Sequence, residues 1–191
     1  MGPAHIHHDS SKLCQSRRRF ICGLAALGAL SVNPALANFV APLTGCRSLK
    51  LNNLHTGETI STIYWENGQY HEQALLELNH VLRDHRSNEV SDIDRNLLDM
   101  LAELQNSTGN TNPWDVISAF RSESTNAKLR KAGSGVAKKS YHCLGRAIDV
   151  RLPGTALTDL HKAALAMKSG GVGYYPKSDF VHVDTGPVRR W

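Results

Sequence analysis

The chain has 191 residues, 41% of them hydrophobic and 20% charged, which is enough for one ordinary domain with a hydrophobic core. Its formal net charge is +5 with the ten histidines counted as neutral, and part of this excess lies in the first 37 residues. Without them, 18 basic and 16 acidic residues leave a net charge of +2, which argues against a nucleic-acid-binding protein.

The first 37 residues have the pattern of an export signal. The sequence SRRRFI at 16–21 contains twin arginines, an apolar stretch follows to residue 32, and Ala35-Leu36-Ala37 resembles a cleavage site. The apolar stretch is short for a membrane span, which needs about 20 residues. We therefore expect a twin-arginine signal at 1–37, one domain over 38–191, a periplasmic location and no stable membrane span.

Two cysteines, Cys46 and Cys143, remain after residue 37. The sequence LTGC at 43–46 resembles a lipobox, so lipidation of Cys46 is an alternative to simple cleavage after residue 37. In an oxidising compartment the two cysteines could form a disulfide bond. Because Cys143 follows His142, it could also be a soft metal ligand. We favour a plain free or buried thiol over the disulfide and the ligand, and two cysteines are too few for a cysteine-based zinc knuckle.

The predicted elements alternate irregularly between strands and helices. In chain order they are a hairpin of strands at 48–52 and 58–65, amphipathic helices at 71–83 and 92–105, a buried strand at 114–120, a short helix at 124–131, a strand at 147–152, a helix at 158–168, and strands at 172–175 and 180–184. Thr158 is the expected N-cap of the last helix, and Gly170 and Gly171 follow its end. This order predicts an α+β fold.

Two segments, SYHCLGRAIDV at 140–150 and DFVHVD at 179–184, contain residues that could bind a metal. Alternate residues of a strand share a face, so Asp149 and His182 both lie opposite the apolar residues of their strands. If these strands are neighbours, the two side chains meet on one face. His142 precedes the first strand in a loop that Gly145 allows to fold tightly. Five other histidines are expected to be structural or solvated: His55, His71, His80, His85 and His161.

Two imidazoles and one carboxylate form a ligand set for Zn²⁺ that leaves a fourth position open for water. Because zinc lowers the pKa of bound water and polarises a carbonyl, an open site of this kind is typical of hydrolysis. His142, Asp149 and His182 therefore predict a zinc-dependent metallopeptidase or amidase in which the activated water attacks the scissile amide.

Further residues are candidates for the remaining catalytic roles. Asp179, three residues before His182, is the preferred general base, and Asp184 is the alternative, although orienting an imidazole suits it better. Arg121 is the candidate cation for the oxyanion of the tetrahedral intermediate. Ser140 could hydrogen-bond substrate or a ligand residue. Tyr174 and its neighbour Tyr175 could line the groove, although a core position is equally compatible with the sequence.

The sequence resembles the superfamily of zinc peptidases that contains D-Ala-D-Ala carboxypeptidases and murein endopeptidases and that shares its site architecture with the hedgehog signalling domain. The segments that carry the resemblance are LNNLHTGE at 51–58, GVAKKSYH at 135–142, GGVGYYP at 170–176 and FVHVDTGP at 180–187. The resemblance implies a small antiparallel sheet that carries the zinc site and is flanked by helices. It also implies His142, Asp149 and His182 as zinc ligands and Arg121 as the oxyanion cation.

The activity implied by the resemblance is hydrolysis of peptide crosslinks in peptidoglycan during cell-wall growth and remodelling. Peptidoglycan peptide stems would be the partner of a chain that we expect to be a monomer. Many superfamily members have Glu-x-x-His or His-x-His at the last ligand, whereas this chain has Asp179 and Phe180 at those positions. Its base therefore departs from the superfamily pattern. The alternatives are a carboxypeptidase that removes a terminal D-amino acid and a non-catalytic wall-binding module that keeps the zinc.

Overall fold

The computed structural model describes residues 45–133 and 135–191. Its strands are Cys46–Asn53 (β1), Thr59–Glu66 (β2), Gln69–Tyr70 (β3), Trp114–Ser118 (β4), Ala147–Arg151 (β5), Gly171–Tyr175 (β6), Phe180–Asp184 (β7) and Arg189–Arg190 (β8). Its helices are Glu72–Val81 (α1), Arg95–Thr108 (α2), Glu123–Lys131 (α3) and Leu157–Met167 (α4), with short 3-10 helices at Tyr141–Leu144 and Pro176–Ser178. The predicted export signal lies outside the described residues.

All eight described strands join one sheet in the order β3-β2-β1-β4-β5-β7-β6-β8. The pairs β1–β4 and β6–β8 are parallel and the other neighbours are antiparallel. The α+β prediction is confirmed, but the expectation of a small antiparallel sheet is wrong. The sheet is larger because the N-terminal hairpin pairs with β4 and so continues the sheet that carries the candidate site.

The core lies between one face of the sheet and the helices. Helix α1 packs against β2, and α2 packs against β1 and α4. In β5 and β7 the apolar residues Ile148, Val150, Val181 and Val183 are all fully or almost fully buried in this core. Because side chains alternate along a strand, the residues between them are directed to the opposite face, where the candidate site lies.

Several boundaries differ from the sequence-based predictions. Helix α2 begins at Arg95 because the side chain of Asp94 accepts a hydrogen bond from the backbone N–H of Asn96. The prediction of Thr158 as an N-cap is wrong, since Ala156 occupies that position in α4 and makes no side-chain cap. Strand β4 ends at Ser118, two residues earlier than predicted, after an irregularity in its pairing with β5. Among the described helices, none has the length and apolar composition that a membrane span requires.

Candidate metal centre

The pairing of β5 with β7 places two of the predicted ligands side by side. Asp149 and His182 are directly opposite each other in this antiparallel pair. His142 approaches from the 3-10 helix, which ends at Gly145 with a φ of 64°. A Cβ atom at residue 145 would lie 2.1 Å from the backbone oxygen of Asp92, so this tight approach requires glycine. One potential ligand atom from each of the three residues lies within 4.8 Å of the others.

Hydrogen bonds outside this cluster orient both imidazole rings. His142 Nδ1 lies 2.7 Å from the carbonyl oxygen of Ala119, which can only accept, so Nδ1 donates and Nε2 is directed toward Asp149. His182 Nε2 donates to Asp184 over 2.9 Å, and its Nδ1 lies 2.8 Å from Asp149. A carboxylate or carbonyl behind each imidazole is the usual arrangement around a metal-binding histidine.

The electrostatics of the cluster favour a charged Asp149. Burial raises the pKa of Asp149, but the charges and hydrogen bonds of His142 and His182 outweigh burial and hold this pKa below its usual range. Burial lowers the pKa of His182, but its bonds to Asp149 and Asp184 outweigh that effect and leave the pKa raised. The cluster therefore combines a carboxylate with two imidazoles. Each imidazole uses one nitrogen to hydrogen-bond Ala119 or Asp184 and presents the other to the cluster, a donor set that fits Zn²⁺.

Asp184 is fully buried and is engaged on both oxygens. Oδ2 accepts from His182 and from Arg189 over 2.9 and 2.7 Å. Oδ1 accepts from Arg189 and from the backbone N–H groups of Gly171 and Gly186. Burial raises the pKa of Asp184, but these bonds hold it well below its usual range. This carboxylate therefore supports the His182 ring and has little remaining capacity to accept a proton.

The cluster lies in the wall of an open cavity of about 540 Å³. Arg121 also lines this cavity and is only 7% exposed. Its hydrogen bonds to Ser118 and Asn126 are long, at 3.3 and 3.4 Å, and its Nε has no partner among the described residues. Burial lowers the pKa of Arg121, although nearby Asp149 acts in the opposite direction. A buried guanidinium that is directed into a cavity and has no carboxylate ion pair can bind negative charge there.

Asp179 occupies a different environment from Asp184. It lies between Ser178 and Phe180, which line the cavity, but it is not itself a lining residue. Its side chain is 63% exposed and forms a 2.9 Å ion pair with Arg151. The backbone of Asp179 is left-handed, with a φ of 54°. The structure thus places the preferred base at the edge of the site, with Arg151 as its partner.

The remaining predicted residues divide between the cavity and its surroundings. Ser140 lines the cavity, and its hydroxyl accepts a hydrogen bond from the backbone N–H of His142. Tyr174 is not a lining residue and stacks on His161 with ring centroids 4.7 Å apart. Its neighbour Tyr175 does line the cavity. Cys143 is a free thiol, so the alternative of a disulfide between Cys143 and Cys46 is wrong. The expectation of a plain thiol is also wrong for Cys46, which is disulfide-bonded.

Sequence reasoning missed an aromatic wall around Trp191. The Trp191 ring lies 5.2 Å from that of His182, and its Nε1 donates to the Tyr175 hydroxyl over 2.7 Å. Tyr175 in turn stacks on Phe180. The glycine at position 173 was one sequence signal, because a glycine inside a strand often marks the close approach of another group. In the structure, a Cβ atom at this position would lie 2.8 Å from the Trp191 ring.

Comparison with known proteins identifies the family. The family model described as peptidoglycan L,D-endopeptidase MepK, Peptidase_M15_2, matches residues 42–191. The chain belongs to this family. Peptidoglycan L,D-endopeptidase MepK of Escherichia coli (strain K12) is 46% identical over 182 residues, which are 94% of this chain and 99% of that protein. A protein of the same name from Shigella flexneri matches to the same extent.

A more distant relative comes from Haemophilus influenzae. It is named "Probable peptidoglycan L,D-endopeptidase MepK" and is 40% identical over 180 residues, which are 93% of this chain and 96% of that protein. No solved structure matches the chain significantly. Membership of the M15_2 family confirms the resemblance to the superfamily of D-Ala-D-Ala carboxypeptidases and murein endopeptidases.

Proposed function

We propose that this chain is a zinc-dependent endopeptidase that hydrolyses L,D peptide crosslinks of peptidoglycan. The observation that carries the proposal is the buried cluster of His142, Asp149 and His182 in the wall of an open cavity. Two imidazoles and a carboxylate form the protein part of a catalytic zinc site. The names of relatives at 46% and 40% identity supply the substrate class and the type of bond.

The ligand atoms would be His142 Nε2, His182 Nδ1 and a carboxylate oxygen of Asp149. A zinc ion held by them would supply a Lewis acid that polarises the scissile carbonyl and activates water. Ala119 and Asp184 keep the two imidazoles in the tautomers that present these nitrogens. Arg121 stabilises the negative charge that develops on the carbonyl oxygen, because its buried guanidinium lines the cavity and forms no salt bridge with a carboxylate among the described residues.

We assign the general base to Asp179. It takes a proton from the attacking water and delivers it to the leaving amine. Asp184 is the weaker candidate because both of its oxygens already accept hydrogen bonds from His182, Arg189 and backbone amides. Asp179 has one charged partner, Arg151, and its side chain is 63% exposed, so it is less fully engaged than Asp184.

The L,D designation selects one of two crosslinks. The bond from D-Ala to diaminopimelate joins two D centres, whereas the bond between two diaminopimelates joins an L centre to a D centre. We therefore propose the bond between two diaminopimelates as the substrate.

We also propose that residues 1–37 direct twin-arginine export to the periplasm, where the domain over 38–191 acts as a monomer. We propose as well that the eight-stranded sheet is related to the sheet of the hedgehog-like fold.

The test uses two purified crosslinked muropeptides, one with each type of bond. Zinc-loaded and chelator-stripped protein is incubated with each, and the products are identified by mass. We expect cleavage of the dimer between two diaminopimelates, and only with zinc. Cleavage of the D-Ala dimer alone would contradict the L,D assignment, release of a terminal alanine would indicate the carboxypeptidase, and absence of products with zinc bound would indicate the wall-binding module.

Matched histidine variants test the ligand assignment in the same experiment. His142→Ala should lose both zinc and hydrolysis. His80→Ala removes an exposed histidine of α1 that contacts Glu58, and this variant should keep both zinc and hydrolysis. Unchanged zinc content in His142→Ala would overturn the assignment.

A further inference from the structure

We propose that an exposed basic surface beside the cavity binds carboxylates of the peptidoglycan peptide at a distance from the scissile bond. The basic surface consists of Lys128, Arg130, Lys131, Lys138 and Lys139. The inference rests on the proposed function, because it extends the substrate contacts of that site. It would add affinity for the polymer without taking part in the chemistry.

The charge of this part of the chain is one-sided. Between Glu123 and Asp149 the sequence has no acidic residue, whereas it has Arg146 and the five residues of the basic surface. Residues 38–191 as a whole have a net charge of only +2. The rest of this domain is therefore slightly acidic, and the excess positive charge is concentrated in this segment of the chain.

The cations of the basic surface are exposed and available. All five side chains are in the exposed class, and no salt bridge among the described residues involves any of them. By contrast, Arg47, Arg83 and Arg151 each pair with a carboxylate within 3.0 Å. Unpaired charges of one sign raise the local concentration of ions of the other sign.

The basic surface is continuous with the candidate active site. Lys139 lines the main cavity, and Arg130 and Lys131 line a neighbouring depression of about 530 Å³. Gly135 and Val136 line both. A peptide that extends from the metal centre along this wall would therefore reach the basic surface.

Asn126 connects the basic surface to the catalytic arginine. This buried residue of α3 donates to the carbonyl oxygen of Ala137, next to Lys138, and accepts from Arg121. The segment that carries Lys138 and Lys139 is thus attached to the same side chain that contacts the candidate oxyanion cation. This attachment holds the basic surface in a defined position relative to the site.

The ligand chemistry that fits is a flexible chain with several carboxylates. Peptide stems of peptidoglycan carry free carboxylates besides those consumed in amide bonds. An exposed ion pair contributes only about 0.2–1 kcal/mol, so several weak contacts rather than one strong contact would recognise such a chain. These contacts are screened over about 8 Å at physiological salt, so the effect should be largest at low ionic strength.

The experiment is a cycle in which charge is removed from the protein and from the substrate. The protein variants are Lys138→Gln with Lys139→Gln, and Arg130→Gln with Lys131→Gln. The control combines Lys50→Gln with Lys162→Gln, which removes the same charge elsewhere. Zinc-loaded proteins are compared on intact peptidoglycan and on peptidoglycan whose carboxylates have been amidated. Co-sedimentation measures binding, and loss of crosslinked dimers gives kcat and KM.

We expect each double variant to bind intact peptidoglycan about fivefold more weakly at low salt, with a higher KM and an unchanged kcat. Amidation should remove the difference between variants and wild type, and the control should behave as wild type. Variants that bind like the control, or that lose as much affinity for amidated peptidoglycan, would overturn the inference. Stronger binding of wild type to double-stranded DNA or anionic vesicles, lost in the same variants, would also overturn it.

The design separates this inference from the proposed function. Wild-type protein that binds peptidoglycan through the basic surface but releases no products would support the surface and contradict the hydrolysis. If wild-type protein cleaves the crosslink while all variants match the control, the hydrolysis would be supported and the role of the basic surface contradicted.

Discussion

Replacement of Asp184 by Asn tests how the protein prepares His182 for a metal. Asp184 accepts hydrogen bonds on both oxygens, from His182 and Arg189 on one and from Arg189, Gly171 and Gly186 on the other. An amide has only one acceptor oxygen, so its NH₂ group must face donors on one side. If it faces His182, the ring is driven toward the tautomer in which Nδ1 carries the proton. If it faces the glycines, their N–H groups lose a partner.

The expected loss of zinc affinity is 10- to 100-fold, the usual range for removal of a residue that orients a ligand. This corresponds to about 1.4–2.7 kcal/mol. It is consistent with the loss of one hydrogen bond between His182 and a charged acceptor, which contributes about 1.5–3 kcal/mol.

The assay is competition for zinc against a chelating dye at fixed pH. The matched control is Asp99→Asn, because Asp99 also accepts from an arginine and two tyrosines, Arg47, Tyr64 and Tyr70, but does not contact the metal centre. The control should lower the free energy of unfolding and leave zinc affinity within twofold of wild type. If Asp184→Asn keeps a zinc affinity within twofold of wild type, Asp184 does not prepare His182 for the metal.

Three further predictions concern other residues. Arg121→Ala should retain zinc and lower kcat by about 10²–10³, with Arg121→Lys intermediate in steady-state kinetics; an unchanged kcat would remove Arg121 from the mechanism. Asp179→Asn should also retain zinc and lower kcat by about 10²–10⁴, and full activity would reassign the base. Burial raises the pKa of Asp84, but hydrogen bonds from Thr125, Arg86 and Ser122 outweigh burial and hold this pKa below its usual range. Stability from Asp84 is therefore present above its unfolded pKa of about 3.9 and lost as the pH falls below that value. Urea unfolding between pH 5 and 2 should show a shallower acid loss in Asp84→Asn, and an equal loss would contradict this assignment.

The metal-binding cluster was the part most accessible from sequence. Alternation in two short strands fixes the face of Asp149 and His182, and Gly145 marks the turn that positions His142. These are local rules of strand and turn geometry, so a few residues suffice to apply them. Helices α1, α2 and α4 were similarly visible, because each has buried apolar residues and packs on the sheet.

Long-range contacts were not accessible from sequence. The parallel pairing of β1 with β4 joins segments about 60 residues apart, and no local pattern specifies such a partner. Strand β8 has only two residues, which is too short to show the alternation of a strand in the sequence. Trp191, which follows β8, was therefore not recognised as part of the cavity. Likewise, the ion pair between Arg151 and Asp179 depends on how β5 and the end of the second 3-10 helix meet.

A zinc titration tests whether His142, Asp149 and His182 hold the metal ion required for hydrolysis. Metal-free protein is titrated with Zn²⁺ while cleavage of the crosslink between two diaminopimelates is followed by mass. We predict no cleavage without metal, a rise to a plateau at one equivalent of Zn²⁺, and no rise in Asp149→Ala. Cleavage at an undiminished rate by metal-free protein, or a normal titration in Asp149→Ala, would contradict this prediction.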